Sequence, residues 1–580
     1  MSENYWNRLR SGRVNRRRFL AATGIAAAGT AAILAGCSDD EEEAAGPAAT
    51  TAAATAAATE AATAAGRVAS DPAGLTRGGT LRFGSPMGGD AIFDPAITNH
   101  ARTYSQGMGN VYNRLLAYDG DVNIYPELAA SLPEQPDDQT YVFTLLPNIK
   151  WHDIAPANGR QFTAEDAAFG LNRFNEDNPE FMQGQINMIE KIDVIDDLHF
   201  TVTTKAPFAP MLNFLADDPI LMVNPEQREA VGDAGLKKYE NMIGTGPFMR
   251  GELESEVHGR MDANPNYFVK GQPYLDGIEH IAISADAQEG AFLAGEFDSF
   301  DTFTAGGYSF QVSSFQDQMG DKVDFRKRLH SAIAEVHMHN EKAPFNDQRV
   351  RRAVQLIINR QLTANPFGPG SGIIMGPVPQ MFHPFAMSEQ ELLQTPGYRE
   401  DKEADIKEAI ALASAAGLSA DDPLTIATPI QCDCHAVQIK EDVKAIGLNL
   451  ELEPATGADY FAQRAAGNYV MNIGLEVGGT DADTYLHHRF HSTGAFNRVG
   501  VNDPELDALL DKQRTTIDNE ARAAAIKEVS LMLLEKSPQA FVSSLIFYPI
   551  FRSYMKGVPE KVPFGLTHNF STVWLDSNMM

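Results

Sequence analysis

Apolar residues that alternate with polar ones mark several strands along this chain. The segments also carry many β-branched and aromatic residues, which pack well on a pleated surface. This pattern predicts strands at residues 78–84, 140–145, 199–204 and 448–453.

Other segments repeat their apolar residues every three or four positions, which is typical of helices with one buried face. Thr163 with Asp166 forms a capping box, and Asp347 and Asp503 are good first caps for two further helices. Two more helices are predicted to end at Gly447 and at Pro538, by the usual stop signals. Strands and helices are therefore intermixed from about residue 77 onward, which predicts an α/β or α+β fold.

The chain is long and acidic: it has 580 residues and a net charge of −30. Its length predicts about two to four domains. The acidity argues against a nucleic-acid partner, because phosphate binding needs clustered lysine and arginine. After residue 37 no apolar run is long enough for a membrane bundle, and three cysteines are too few for a disulfide scaffold.

The first 37 residues are predicted to be an export signal. Six arginines precede an uncharged, alanine-rich run over residues 19–36. Residues 15–20, Asn-Arg-Arg-Arg-Phe-Leu, resemble a twin-arginine (Tat) export motif. Residues 34–37, Leu-Ala-Gly-Cys, resemble a lipobox, so we predict lipidation of Cys37 and a membrane anchor; the alternative is a cysteine that merely ends the signal.

Residues 38–76 have a different composition from the rest of the chain. An acidic run is followed by a segment rich in alanine and threonine, without a period of large apolar residues. Such a segment has no apolar face to bury. We therefore predict a disordered tether between Cys37 and a body that begins near Arg77.

Motifs of the common hydrolases and nucleotide-binding enzymes are absent from the sequence. It contains no His-Glu-x-x-His, no Gly-x-Ser-x-Gly, no phosphate-binding loop and no Gly-x-Gly-x-x-Gly. We therefore predict that the protein is not an enzyme and carries no cofactor. A secreted hydrolase with an unrecognised pair of acidic residues is the alternative from another class.

Two clusters contain residue types that bind metals. His487 and His491 are four residues apart, with His488 between them, and could face one ion from a helix. We interpret this cluster as a polar surface turn. Cys432 and Cys434 lack enough partners for a zinc site, so we interpret them as a disulfide or as free thiols. The prediction is therefore that no metal is bound.

A series of short motifs from residue 78 onward resembles one known family. In chain order they are Gly78-Gly79-Thr80-Leu81, Phe93-Asp94-Pro95, Val111-Tyr112-Asn113-Arg114-Leu115-Leu116, Pro126-Glu127-Leu128-Ala129, Lys150-Trp151-His152-Asp153, Phe162-Thr163-Ala164-Glu165-Asp166, Gly244-Thr245-Gly246-Pro247-Phe248 and Pro344-Phe345-Asn346-Asp347. Each is weak alone, but their order over residues 77–560 resembles the extracellular solute-binding proteins of the dipeptide/oligopeptide/nickel family (family 5), which serve ABC importers.

The resemblance implies a two-lobed periplasmic-binding-protein fold of the α/β class with an extra N-terminal subdomain (cluster C type). The ligand is then expected in the cleft between the lobes, which closes by hinge motion. The expected division assigns 77–112, 224–330 and 541–580 to lobe I, 113–223 to the extra subdomain, and 331–540 to lobe II.

The resemblance also implies a function. We expect a monomeric receptor that captures a peptide or peptide-like solute and delivers it to ABC permease and ATPase subunits. Lipid on Cys37 would hold it at the outer face of the cytoplasmic membrane, in the periplasm or on the cell surface. A receptor for nickel, a metal chelate or an oligosaccharide, with the same fold, is the alternative.

Peptide-binding relatives carry a tract Trp-x-x-Asp-x-x-Asp-Pro, whose first Asp holds the α-amino group of the ligand. The matching tract here is residues 475–486. When Asp481 is aligned with the second Asp, Gly478 takes the place of the amine-holding Asp and Leu475 that of the Trp. A shift by one gap would let Glu476 or Asp481 hold the amine instead. The resemblance therefore implies weak discrimination for a free α-amino group.

The candidate ligand-binding residues come from two walls of the expected cleft. Arg102 would hold a ligand carboxylate with its two-pronged guanidinium, or be a surface arginine. The full set is Asn99, His100, Arg102, Tyr104, Leu475, Glu476, Gly478, Gly479, Asp481 and Tyr485.

Overall fold

The computed structural model describes residues 67–85, 92–97, 107–119, 123–176, 188–217, 219–254, 257–300, 309–365, 369–418, 423–429, 433–560 and 569–580. Strands and helices alternate through these ranges, as predicted. Among the described residues, no helix combines the length and the apolar character that crossing a membrane requires.

The strands are short, and half of those described belong to one of two large sheets. In chain order they are β1 (Arg67–Val68), β2 (Thr80–Ser85), β3 (Leu116–Tyr118), β4 (Ile124–Pro126), β5 (Thr140–Thr144), β6 (Ile189–Val194), β7 (His199–Thr204), β8 (Phe248–Glu254), β9 (His258–Ala263), β10 (Val269–Lys270), β11 (Gly277–Ala282), β12 (Ser299–Phe300), β13 (Val323–Phe325), β14 (Arg328–Met338), β15 (Gly372–Ile374), β16 (Leu424–Pro429), β17 (Leu450–Ala455), β18 (Met471–Val477), β19 (Gln539–Phe547), β20 (Ile550–Arg552), β21 (Met555–Lys556) and β22 (Trp574–Leu575).

The helices cover the sheets and connect them. They are α1 (Gly109–Val111), α2 (Ala164–Phe174), α3 (Met211–Ala216), α4 (Pro225–Leu236), α5 (Ala285–Ala294), α6 (Ser309–Met319), α7 (Gln348–Ile357), α8 (Arg360–Thr363), α9 (Glu389–Gln394), α10 (Glu403–Ala415), α11 (Asp433–Lys444), α12 (Gly457–Ala465), α13 (Ala482–Tyr485), α14 (His487–Phe490), α15 (Pro504–Thr515) and α16 (Asn519–Lys536). Short 3₁₀ turns lie at Tyr239–Asn241, Gly320–Lys322 and Gln380–Phe382.

Two sheets form the frame of the molecule. One has seven strands in the order β13-β20-β12-β2-β11-β9-β8, and the other has four in the order β15-β19-β14-β18. The chain passes from the first sheet to the second between β13 and β14, and returns between β19 and β20. The crossings thus fall at residues 326–327 and 548–549, close to the lobe boundaries expected at 331 and 541; the assignment of whole lobes stays a prediction.

A separate core lies within residues 96–243, around the three-stranded sheet β5-β7-β6. Phe143 and Phe200 stack there with ring centroids 5.0 Å apart. Trp151 is buried against Phe162, and its indole N–H donates to Asp166 at 3.1 Å. We interpret the Trp-His-Asp motif at 151–153 as structural on these contacts.

The local signals of the sequence placed several helices correctly. The capping box of Thr163 and Asp166 begins α2, and the side chains of Asp347 and Asp503 cap α7 and α15. Helix α16 ends at Lys536, just before Pro538. The carboxylates and hydroxyls at these positions accept hydrogen bonds from amides that have no partner within the helix.

The start of the folded body needs a correction. We expected the disordered tether to continue to residue 76, but Arg67–Val68 already forms a parallel pair with β10 at Val269–Lys270. The amide of Ala69 continues this pairing by donating to the Lys270 carbonyl at 3.1 Å. A two-residue strand held by backbone hydrogen bonds has no hydrophobic period, so pattern analysis could not find it. The rest of the tether and Cys37 lie outside the described residues.

Gly244 lies where two backbone segments approach closely. A Cβ atom added there would lie 1.9 Å from the Val111 carbonyl oxygen. The Gly244 carbonyl also accepts the His152 amide at 2.8 Å. This close approach explains why the first position of the Gly-Thr-Gly-Pro-Phe motif needs a residue without a side chain.

Gly244→Ala should therefore lower the free energy of unfolding by about 3 kcal/mol, because the backbone of residue 111 must move away. Urea unfolding measures this change. The control is Gly290→Ala, where an added Cβ meets no atom within 4 Å inside α5. That substitution should stabilise the protein by about 0.5–1 kcal/mol, and an equal loss in both variants would contradict the prediction.

Candidate functional site

The tract 475–485 leaves the end of strand β18 and turns into helix α13. Leu475 and Glu476 lie in β18, opposite Ala334 and Ile333 of β14. Gly478 and Gly479 form the turn, and Asp481 caps α13 by accepting the Asp483 amide at 2.7 Å. The six described candidates of this wall, 475, 476, 478, 479, 481 and 485, are thus brought together.

The four-stranded sheet has one apolar and one polar face. Alternate residues of β14, β18 and β19, such as Val336, Ile473 and Val542, join the apolar core. The opposite face carries buried charges, which helices α12 and α14 cover with their own arginines. Glu335, His337, Glu476, Arg464 and Arg489 form this buried charge cluster.

Glu476 is an ion-pair partner inside this cluster. Its carboxylate lies 2.6 Å from an Arg464 nitrogen and 3.4 Å from Arg498. Burial raises the pKa of the Glu476 carboxyl, but the neighbouring arginines, Arg464 first, outweigh burial and hold the pKa below its ordinary value. These contacts weigh against Glu476 as the group that holds a ligand amine.

Glu335 lies at the centre of the cluster and is fully buried. It accepts hydrogen bonds from Arg489 and Gln539, and lies 2.8 Å from His337 Nε2. Burial opposes its ionisation, but the charge of Arg489 dominates and lowers the pKa of Glu335 to about 2. The ligand atoms of Glu335, His337 and Glu476 are close enough together to hold a metal ion. The surrounding arginines, however, disfavour a cation there.

Asp481 is held by a bidentate ion pair. Two nitrogens of Arg522 donate to its two oxygens at 2.5 and 3.0 Å, and the Asn213 amide donates to it as well. Two residues further along, Asp483 accepts from Arg514 at 2.6 Å and from Gln513 at 2.5 Å. Burial opposes the charge of Asp483, but Arg514 lowers its pKa to about 2. Both carboxylates therefore have a structural role in holding the fold together.

Gly478 and Gly479 leave room for large neighbours. A Cβ atom at Gly478 would lie 2.2 Å from the Tyr485 ring, and one at Gly479 would lie 2.8 Å from an Asp217 oxygen. The Tyr485 hydroxyl donates to the Ser331 carbonyl at 2.5 Å. Tyr485 thus fills the space beside Gly478, so an amine-holding Asp at this position would clash.

The segment 208–217 packs directly against this tract. The Thr480 hydroxyl donates to the Asn213 carbonyl at 3.3 Å, and the Ala209 amide donates to the Arg514 carbonyl at 2.9 Å. The Arg514 guanidinium also lies 5.5 Å from the Phe208 ring centre. These contacts join the core of residues 96–243 to helices α13 and α15.

The other predicted wall cannot be placed. Asn99, His100, Arg102 and Tyr104 lie outside the described residues, as do Cys432 and the side chain of Cys434. The Phe93-Asp94-Pro95 motif, which precedes this wall in the sequence, lies within the described residues. Its Asp94 is fully buried and accepts hydrogen bonds from two Arg173 nitrogens at 2.6 and 2.5 Å.

The histidine cluster is not the surface turn that we predicted. His487 and His488 are buried in helix α14, and His491 follows directly as its C-terminal cap. The rings of His487 and His491 stack with centroids 4.3 Å apart. Phe490 of this short helix packs against Phe541 of β19, a residue distant in sequence, so the local polarity was misleading.

Sequence reasoning missed the arginines that neutralise the tract. Arg464, Arg489, Arg514 and Arg522 all lie on helices whose polar pattern is typical of a solvated face. Each pairs with a carboxylate from another element, and all of these carboxylates except the half-buried Glu476 are buried. One signal in the sequence indicated buried counter-charges. Residues 476–483 form a mostly apolar strand and turn, yet they contain three acidic residues, which is unusual.

Comparison with known proteins agrees with this architecture. The model of "Bacterial extracellular solute-binding proteins, family 5 Middle" matches residues 123–497. A relative named "Di/tripeptide-binding protein 2" from Pseudomonas aeruginosa (strain UCBPP-PA14) is 25% identical over 515 residues, which are 83% of this chain and 93% of the relative.

Solved structures share the fold over nearly their whole length. The periplasmic binding protein DppA from Helicobacter pylori, in complex with peptide STSA, has a TM-score of 0.73 at 21% identity, over 86% of this chain and 99% of that chain. The binding protein AgaA from A. tumefacien R10, in complex with agropinic acid, has a TM-score of 0.72 at 20% identity and the same coverage.

The fold is therefore the two-lobed α/β fold of periplasmic binding proteins, and the expected fold class is confirmed. The chain belongs to the bacterial extracellular solute-binding proteins of family 5. It is thus a solute-binding protein.

Proposed function

We propose that this protein is the receptor of an ABC importer and that it binds a peptide or peptide-like solute between its two lobes. The match of the family model over residues 123–497 carries this proposal. The similar proteins named for di- and tripeptides or solved with a peptide support the solute class. The receptor hands the solute to permease subunits, and no bond is made or broken.

The charges of the tract define which peptides it selects. Asp481 and Asp483 each pair with an arginine, and so does Glu476. An ammonium group that enters a closed cleft needs its own counter-charge, and these three carboxylates are already neutralised. We therefore propose that the receptor tolerates a blocked N-terminus, and the similarity to a protein that holds agropinic acid supports a solute range beyond free peptides.

Acetylation of the N-terminus should weaken binding of a peptide solute by less than tenfold, or about 1.4 kcal/mol. Native mass spectrometry of the protein as isolated identifies a retained peptide, and calorimetry compares this peptide with its acetylated form. Recovery of the intact peptide after long incubation checks that no hydrolysis occurs.

A hundredfold loss on acetylation would contradict this prediction and would place an amine clamp in the cleft. Asp481→Asn tests whether the clamp is this carboxylate. We expect the Asp481→Asn variant to bind the free and the acetylated peptide with equal affinity. The reason is that the substitution removes the ion pair with Arg522 and no contact with the solute.

We further propose that export and anchoring depend on the N-terminal 37 residues. The arginine motif at 15–20 would direct the protein to the twin-arginine route, and lipid on Cys37 would retain it at the outer face of the cytoplasmic membrane. Two or three acyl chains are enough for stable attachment, since each buried CH₂ contributes about 0.8 kcal/mol.

Metabolic labelling with palmitate should mark the wild-type protein and should be lost in Cys37→Ser. Cys434→Ser is the matched control and should remain labelled. Persistent label in Cys37→Ser would contradict lipidation at this position.

A further inference from the structure

Helices α14 and α15 bring two histidines and one aspartate together outside the solute tract. His487 and His491 lie one helical turn apart, with their rings nearly parallel at 11°. Asp511 faces them from α15: its Oδ1 lies 3.2 Å from His487 Nε2 and 3.6 Å from His491 Nε2. One ligand atom from each of the three residues lies within 4.8 Å of the others.

These separations match the geometry of a bound transition metal. Zinc–nitrogen and zinc–oxygen bonds are about 2.0–2.1 Å long, so the ligand atoms of a tetrahedral site lie about 3.3–3.4 Å apart. The two distances to Asp511 Oδ1 fall on either side of this value. Two imidazoles and one carboxylate are a donor set that suits Zn²⁺, with one position left open.

The environment favours an ion over a simple histidine–aspartate pair. The side chains of His487 and His491 are 10% and 13% exposed, whereas Asp511 is 61% exposed and leaves an entry path from solvent. Within the described part of the chain, the buried Nδ1 of His487 has no hydrogen-bond partner.

Neighbouring groups can orient the second histidine. The Thr493 amide donates to His491 Nδ1 at 3.1 Å, and the Thr493 hydroxyl lies 2.8 Å from the same nitrogen. A metal on Nε2 shifts the single ring proton to Nδ1, where the Thr493 hydroxyl accepts it and the Thr493 amide loses its acceptor. Asp507, whose carboxylate is fixed by the Ser492 amide and hydroxyl, lies 3.9 Å from His491 Nε2.

We propose that His487, His491 and Asp511 bind one divalent transition-metal ion, with zinc as the best-fitting ion, and that water or Asp507 completes the site. The ion would tie α14 to α15, whose Arg514 pairs with Asp483 and reaches the segment 208–217. It would therefore stabilise the contact between two parts of the receptor without touching the solute.

Calorimetric titration of the untagged, chelator-treated protein with ZnCl₂ tests the site. We expect one Zn²⁺ per chain, a higher melting temperature with zinc, and at least a tenfold loss of affinity in His491→Ala and in Asp511→Asn. The second substitution is at an exposed position, so it tests the site even if a histidine variant folds poorly. The control is His199→Ala, which removes an exposed histidine 2.7 Å from Asp196 and should leave zinc binding unchanged.

The proposal is overturned if the wild-type protein binds no zinc, or if Asp511→Asn and His491→Ala bind it with wild-type affinity. An equal loss in His199→Ala would also overturn it, because the binding would then be spread over surface histidines. Peptide affinity measured on the same samples keeps this result separate from the proposed solute function.

Discussion

Arg522→Met should lower the free energy of unfolding by about 3–5 kcal/mol, because it leaves the Asp481 carboxylate buried without its counter-charge. Both side chains are almost completely buried, with 2% and 0% of their surfaces exposed. The pair also fixes the cap of α13, since Asp481 accepts the Asp483 amide. Urea unfolding at pH 7, followed by tryptophan fluorescence, measures the loss.

Two further variants separate the ion pair from other causes. Asp481→Asn/Arg522→Met keeps the capping oxygen but removes both charges, so it should recover most of the lost stability. Lys512→Met breaks an exposed pair with Glu528 at 2.8 Å and should cost less than about 1 kcal/mol. A stable Arg522→Met protein that no longer binds solute would contradict the structural role of Asp481.

His280→Leu should stabilise the protein, and the gain should grow as the pH falls from 7 to 5. His280 is fully buried beside Phe83, and neither ring nitrogen has a hydrogen-bond partner among the described residues. Burial lowers the pKa of His280 to about 4. In the unfolded chain the pKa returns to about 6.5, so between these values the unfolded state binds more protons than the native state.

The sign of the effect follows from this difference. Stability from a neutral buried histidine is fully present above pH 6.5 and is lost as the pH falls towards 4. For these two pKa values the native state loses about 2 kcal/mol between pH 7 and pH 5. His280→Leu removes that loss, and it also removes two polar atoms without partners, which cost about 1–3 kcal/mol when buried.

Urea unfolding at pH 7, 6 and 5 checks this prediction. Ile278→Val is the control, because it changes a buried residue of the same strand β11 and no titratable group, so its effect should be equal at all three pH values. A parallel shift of His280→Leu at all three pH values would show that His280 does not contribute to acid sensitivity.

The sequence predicted local structure best at positions where a single residue type determines the backbone conformation. Thr163, Asp347 and Asp503 could be recognised as caps because their side chains bond to amides three residues or fewer away. Gly244 could be recognised because only a residue without a side chain fits there: an added Cβ atom would lie 1.9 Å from the Val111 carbonyl oxygen. Such signals lie within a few residues and need no knowledge of the tertiary fold.

The candidate site was harder to predict because its charges pair over long distances. Asp481 and Arg522 are 41 residues apart, and Glu335 and Arg489 are 154 apart. An acidic residue on a strand end looks the same in sequence whether it faces a ligand or an arginine. The resemblance to a family located the tract, but only the structure assigns partners to its carboxylates.

The position of β20 affects when the chain can fold. β20 lies inside the seven-stranded sheet, where Phe551 pairs with Ser299 on one side and Asp324 on the other. A nascent chain shorter than about 550 residues leaves β12 and β13 as unpaired edges, which are prone to association. The seven-stranded sheet therefore cannot close before the chain has been synthesised through Arg552, so products that terminate before this residue are expected to aggregate or be degraded.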